Sequence, residues 1–350
     1  MHFRTPICDL LGIDYPIFAA GMGGVTLAPL TAAVSAAGGF GVLGATFLTP
    51  EELRQEIAAV RRLTDKPFGV DLLIPNDIPP DVEQCPIPPF PSFLADLLPE
   101  VADLPASTPP PPLTLELARA QVAVTLEERI PVLVSALGTP EWLVQEAHSA
   151  GTKVMSMAGS VRHARKLDAL GVDAIIAQGA EAGGHVGTVT TMVLVPQVVD
   201  AVHTPVLAAG GISDGRGVAA ALMLGAQGAW IGTRFIATLE ASTHENHKRG
   251  ILAAGENGTV VSRTYTGKPS RILRNEYTER WKGHEDEVLP MPWQRIWVEE
   301  LVTPARAAGM VHIANFPTGQ VASGITDIPP AAEVVDRLVT EAQEALHRYD

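Results

Sequence analysis

Cysteine is nearly absent from this chain: Cys8 and Cys85 are the only two in 350 residues, too few for a disulfide scaffold and not spaced as metal ligands. Charge is sparse as well. Asp, Glu, Lys and Arg make up 18% of the residues, and their balance is −14, so no basic surface is available for nucleic acid or an anionic membrane. No apolar run approaches the ~20 residues that a membrane helix requires. The amino-terminal stretch MHFRTPICDLLGIDYPI lacks a basic segment followed by an apolar core and a cleavage site. A GxGxxG fingerprint after the first apolar run and a Walker lysine motif are both missing, which argues against a Rossmann-bound dinucleotide or a P-loop nucleotide. These absences predict a cytoplasmic protein with no metal site, no nucleic-acid partner and no membrane span.

What is present is core-forming material, 46% of the chain, enough for one large α/β barrel or two modest domains. Short apolar runs alternate with helical spacing. Strands are predicted at Pro16–Ala20, Phe40–Gly44, Phe68–Ile74, Pro131–Ser135, Lys153–Met157, Ala174–Ala177, Pro205–Ala208 and Ala229–Ile231. Between them, helical spacing covers Thr26–Ala37, Pro50–Leu63, Leu113–Arg129, Pro140–Ala150, Val161–Leu170, Met192–Val202 and Gly215–Leu224. Eight strands separated by helices match a (β/α)8 TIM barrel better than a two-half dinucleotide fold.

Two stretches break the alternation. Residues 75–112 hold thirteen of the 29 prolines, which rules out a regular helix or central strand. This insertion leaves the carboxyl end of the third strand and is read either as a passive loop or as a cover over the site. Residues 240–315 carry three of the five tryptophans and read as an appended, mostly helical substrate or cover segment. The barrel then comprises 1–239 and 316–350, the last part closing with an amphipathic helix at 330–346. The tail's aromatic residues offer a surface for a homodimer.

The chemistry concentrates at 173–187, DAIIAQGAEAGGHVG. A buried strand there ends in Gln178, Gly179, Glu181, Gly183, Gly184 and His185, at the strand end where barrels place catalytic groups. Taken alone His185 is as easily structural as catalytic. Gly21, Met22, Gly23 and Gly24 follow the first strand, where backbone amides can approach a flat ring system. Gly210, Gly211, Gly232 and Thr233 follow the seventh and eighth strands, the usual phosphate position of barrels. Lys268, Arg271 and Arg274 read first as a solvated basic face and second as contacts for coenzyme A phosphates.

AAGMGG at 19–24, DKPFGVDLL at 65–73, AQGAEAGGHVG at 177–187, AAGGISDGRG at 208–217 and GTRF at 232–235 carry a resemblance. The chain resembles the FMN-dependent nitronate monooxygenases (2-nitropropane dioxygenases) and the flavin enoyl-acyl carrier protein reductase II enzymes grouped with them. The resemblance implies one FMN at the carboxyl face of a TIM barrel. Gly21, Met22 and Gly23 would lie beside the isoalloxazine, with Gln178, Gly183 and Gly184 also at the flavin. Gly210, Gly211, Gly232 and Thr233 would hold its phosphate, and His185 matches the active-site histidine. Asp71 departs from the family's usual Asn: an ionised carboxylate only accepts hydrogen bonds, so Asp71 would disfavour an anionic reduced flavin or be protonated. GENGTVVSRTYTGKPSRILRNE at 255–276, GQVASG at 319–324 and SGITDIPPAAEVVDRLV at 323–339 are similar to a branch linked to steroid-ring degradation and to reduction of coenzyme A thioesters.

The residues therefore point to an FMN-dependent oxidoreductase with two readings. In the first, an alkyl nitronate gives an electron to the flavin and O2 completes its conversion to a carbonyl compound and nitrite; His185 stabilises the nitronate or serves as base on a nitroalkane. In the second, NADH or NADPH is a transient reductant, the flavin reduces the double bond of an enoyl-thioester, and His185 supplies a proton. A flavin-carrying barrel without catalysis is the third alternative.

Overall fold

The computed structural model describes residues 4–75, 87–105 and 111–347. In chain order the strands are β1 (Ile17–Ala19), β2 (Phe40–Gly44), β3 (Phe68–Leu73), β4 (Val132–Ala136), β5 (Lys153–Ala158), β6 (Ala174–Gln178), β7 (Gly184–His185), β8 (Val206–Ala209), β9 (Gly228–Ile231), β10 (Thr259–Ser262) and β11 (Ser270–Leu273). Eight of them close an all-parallel barrel in the order β1-β2-β3-β4-β5-β6-β8-β9. The expected TIM barrel is therefore present, with the insertion after β3 and a largely helical segment after the barrel.

Side chains alternate between the barrel interior and the helix layer, as strand geometry requires. Phe18, Phe40, Val42, Val134, Ile176 and Trp230 belong to the interior cluster, with Phe18 5.6 Å from Phe40 and 6.2 Å from Trp230 between ring centroids. Their neighbours Ile17, Leu43 and Ile175 pack against the helices instead. The same alternation gives two polar residues to the inward face at the carboxyl end of the barrel, Asp71 on β3 and Gln178 on β6. Gln178 ends β6, and Asp71 lies two residues before the end of β3, against Gly21.

The last barrel strand has no long helix directly after it, only Thr233–Ile236. Helix Ala331–His347 takes the vacant place, packing against helices Gly215–Met223 and Ala28–Ala36. The Glu341 carboxylate accepts from the amide of Gly215 at 2.8 Å. Arg234 ties the returning chain to the barrel through Asp327, 2.9 Å away. The carboxyl-terminal stretch thus completes the ring of helices.

Between barrel and final helix the chain adds helices Glu245–Ala253, Glu276–Arg280, Trp293–Trp297 and Glu299–Ala307. It also adds strands that the sequence pattern did not single out: β10 and β11 form a three-stranded antiparallel sheet with β7. A second core joins this segment to the insertion. Leu94, Leu97 and Val101 pack with Tyr265, Tyr277, Trp281, Trp297 and Leu301, and each fully buried leucine contributes about 1.5–3 kcal/mol. The remaining insertion residues, 76–86 and 106–110, lie outside the described part. Cys8 is buried and unpaired; Cys85 lies outside the described residues.

Candidate functional site

His185 is placed by β7, which pairs with β11 in the register Ser270↔His185 and Arg271↔Gly184. Three contacts hold it. The Gln178 carboxamide Nε2 donates to the His185 carbonyl at 2.6 Å, its ring Nε2 lies 3.0 Å from Thr266 Oγ1, and the strand pairing fixes its backbone. Gly184 reaches the required conformation with φ +77, a region glycine enters freely. Burial, reinforced by the nearby charge of Lys268, pushes the His185 imidazole down to about 4. The ring is neutral at neutral pH.

Asp71 is buried at 3% exposure directly beneath the loop after β1: a Cβ on Gly21 would overlap its side chain. No hydrogen bond or ion pair reaches its carboxyl among the described residues, and burial raises its pKa well above the usual carboxylate range. A neutral carboxylic acid keeps a donor hydrogen, so in its protonated form Asp71 offers both capacities of the family's asparagine.

The glycines separate into two groups. Gly21, Gly23, Gly183 and Gly210 are required by protein packing: added Cβ atoms would press on Asp71, on Phe47 at 3.0 Å, on Gly319 at 2.9 Å and on the Ala182 amide at 3.0 Å. Gly184, Gly211 and Gly232 face room. Nothing lies within 4 Å of a Cβ on Gly184, and the nearest atoms for the other two are Glu181 Cβ at 3.6 Å and Met22 Sδ at 3.5 Å. Met22 and Gly232 are thus neighbours across the seam between β1 and β9. Thr233 Oγ1 accepts from the Gly319 amide at 2.8 Å, so the 316–320 turn closes behind this end of the site. Glu181 occupies the start of helix Thr191–Val199, accepting from Thr191 N at 2.9 Å and Thr191 Oγ1 at 3.0 Å; that helix end serves the protein itself.

The FMN implied by the resemblance fits this arrangement. The open glycine backbones at the ends of β8 and β9, the left-handed pair Gly210 (φ +94) and Gly211 (φ +75) and the unpartnered Asp71 carboxyl are what a flavin with a phosphate tail needs. Gln178 and Gly183, read from the sequence as flavin contacts, have protein partners in the His185 carbonyl and the 318–319 backbone.

The three tail cations divide: Lys268 and Arg274 are exposed, as a solvated basic face requires, and Arg271 is not. Arg271 is buried, donating from Nε to the Ala180 carbonyl at 2.9 Å, and Arg274 pairs with Glu279 at 2.9 Å. Lys268 is exposed and acts through its charge. Thr266 escaped sequence reasoning because its partner is 81 positions away, and only the β7–β11 pairing brings the two together.

Residues 4–341 match the family model of nitronate monooxygenase. A Mycobacterium tuberculosis protein classed as a monooxygenase is 40% identical, over 97% of this chain and 96% of its own. The (3aS,4S,5R,7aS)-5-hydroxy-7a-methyl-1-oxo-octahydro-1H-indene-4-carboxyl-CoA dehydrogenase of the same organism is 32% identical, over 98% and 97%. The solved structure of nitroalkane oxidase from Streptomyces ansochromogenes superposes with a TM-score of 0.85 at 32% identity, covering 98% of this chain and 99% of that one. With its barrel, its glycine-lined mouth and these relatives along nearly its whole length, the chain belongs to the nitronate monooxygenase family of FMN-dependent oxidoreductases.

Proposed function

We propose that the protein converts alkyl nitronates with O2 to a carbonyl compound and nitrite, with His185 as its acid–base group. The observation that carries this reading is the neutral imidazole. A histidine held near a pKa of about 4 is in its unprotonated form at neutral pH and carries no imidazolium proton to give. That suits the oxidation of a nitronate, which asks no proton of the histidine, and leaves a base in place should a neutral nitroalkane enter instead. It suits less well a reduction in which histidine must protonate the α-carbon of a thioester.

When bound, FMN supplies the electron acceptor and the reaction with O2. The chain's own residues do the rest. Thr266 donates to the Lys268 carbonyl at 3.2 Å; with its one proton so placed, it accepts from His185 Nε2–H, which leaves Nδ1 as the basic nitrogen. Gln178 fixes the His185 backbone, and Asp71, whose burial favours the protonated form, would present a donor beneath the loop after β1. Gly211, Gly232 and Thr233 are assigned to the cofactor phosphate, with Gly21, Met22 and Gly23 beside its ring. The domain division at 239 and 316, a homodimer and a cytoplasmic location belong to the same reading.

The second reading, NADH- or NADPH-dependent reduction of an enoyl-thioester, is favoured by the similarity to a CoA-thioester dehydrogenase and by the wall that 87–105 and 276–305 build together. One experiment separates them. The FMN-loaded protein is given an alkyl nitronate and, separately, NADH or NADPH, first without O2 and then with it. Bleaching of the flavin by nitronate, with nitrite released under O2, is expected. Bleaching by reduced nicotinamide alone overturns the proposal in favour of the thioester reading.

A further inference from the structure

Arg295 and Arg306 both hold their guanidinium groups against the ring of Phe47, 5.8 and 5.6 Å from its centroid. Phe47 follows β2, and its ring lies 3.0 Å from where a Cβ on Gly23 would stand; Arg306 Nη2 is 4.0 Å from the same point on Gly24. The pair therefore lies on the carboxyl rim of the barrel, beside the loop after β1.

Several arginines elsewhere in the chain are neutralised locally. Arg54, Arg234, Arg280 and Arg337 each face a carboxylate. Among the described residues, the guanidinium groups of Arg295 and Arg306 form no ion pair and no hydrogen bond. Burial, and then the charge of Arg295, pulls the Arg306 guanidinium below its ordinary pKa. Two like charges held against one ring in half-buried positions oppose folding. An exposed cation–π contact returns only about 0.5–1 kcal/mol and leaves the planar N–H forks without acceptors. An oxyanion between the two arginines would answer both their charge and their donors, since guanidinium groups grip phosphate and carboxylate bidentately. In a chain of net charge −14, this pair is not part of a general basic surface.

We propose that Arg295 and Arg306 recognise a phosphate or carboxylate group that the substrate carries away from its reacting carbon. The topology explains the separation. In the closed order of eight strands, β2 is four places from β6, so the arginine rim faces the His185 loop across the mouth. A substrate with its reacting carbon at His185 and an anionic tail reaching Phe47 spans that opening; a short neutral nitroalkane does not. This inference deepens the oxidoreductase reading by naming a substrate class, and it rests on that reading only for the position of the reacting carbon.

The test reads binding rather than turnover, so it stands or falls separately from the nitronate reaction. Inorganic pyrophosphate and succinate are titrated calorimetrically into the flavin-loaded protein and into R295Q, R306Q and R306K, and flavin content is measured in each. At least one anion should bind the wild type, lose about tenfold or more in affinity in either Gln variant, and retain part of it in R306K, with flavin content unchanged. The anion that binds more tightly identifies the tail as phosphate or carboxylate. Equal affinity in wild type and both Gln variants, or no binding of either anion to the wild type, overturns the proposal. Loss of flavin with either arginine overturns it too, by assigning the pair to the cofactor.

Discussion

His185 Nε2 and Thr266 Oγ1 stand 3.0 Å apart across 81 positions of sequence, joined by the pairing of β7 with β11. The contact brings the segment after the barrel up to the candidate site, because Thr266, which holds the imidazole, comes from it. Thr266→Val should lower kcat/KM about 3–10-fold, the equivalent of one hydrogen bond of about 0.5–1.5 kcal/mol, while Thr266→Ser should keep most of it. The wild-type pH profile should stay level from neutral pH down to about 5 and fall towards 4, as His185 takes up the proton that its burial otherwise disfavours. A valine variant with the wild-type rate at every pH would remove Thr266 from the mechanism.

Asp71 gives the molecule a second pH dependence, this time in stability. Its folded pKa is raised by burial above the ordinary value of 3.8. Between those two values the folded chain keeps a proton that the unfolded chain has released, so stability falls as pH rises through that window. The amide variant Asp71→Asn has no such proton to lose. Thermal melts of cofactor-free protein should show the variant gaining on the wild type as pH rises from 4, by roughly 2–4 °C for each kcal/mol. A constant difference across the range would mean that the Asp71 carboxyl titrates normally in the folded state.

Much of this architecture is legible in the sequence. The barrel strands fall where short apolar runs and glycine stops placed them, since a strand buried on both faces leaves a distinct local pattern. His185 was legible for the same reason, lying in the glycine-rich stretch just past such a strand. The roles of individual glycines were not. Gly183 and Gly232 look alike in sequence, yet one meets the 318–319 backbone and the other faces room, because what opposes each is set by chain more than 80 residues away. β10 and β11 escaped notice for a related reason: they are short, and their pairing with β7 depends on contacts far along the chain. Arg295 and Arg306 are ordinary charged residues until Phe47 brings them together.

The contrast between those two glycines gives the last prediction. A Cβ on Gly183 would stand 2.9 Å from the Gly319 nitrogen, and backbone on both sides leaves little freedom to move, so Gly183→Ala should destabilise the protein by about 1–3 kcal/mol, as overpacking does. Gly232 has φ −103, open to any residue, and an added Cβ would make only ordinary contact with Met22 Sδ at 3.5 Å. Gly232→Ala should therefore fold with stability within about 0.5 kcal/mol of wild type. If the cofactor phosphate approaches this backbone, however, the methyl group stands in its way and FMN affinity should drop about tenfold or more. Melting of the cofactor-free proteins followed by FMN titration separates the two effects. Full FMN affinity in a stable Gly232→Ala protein would move the phosphate away from the end of β9.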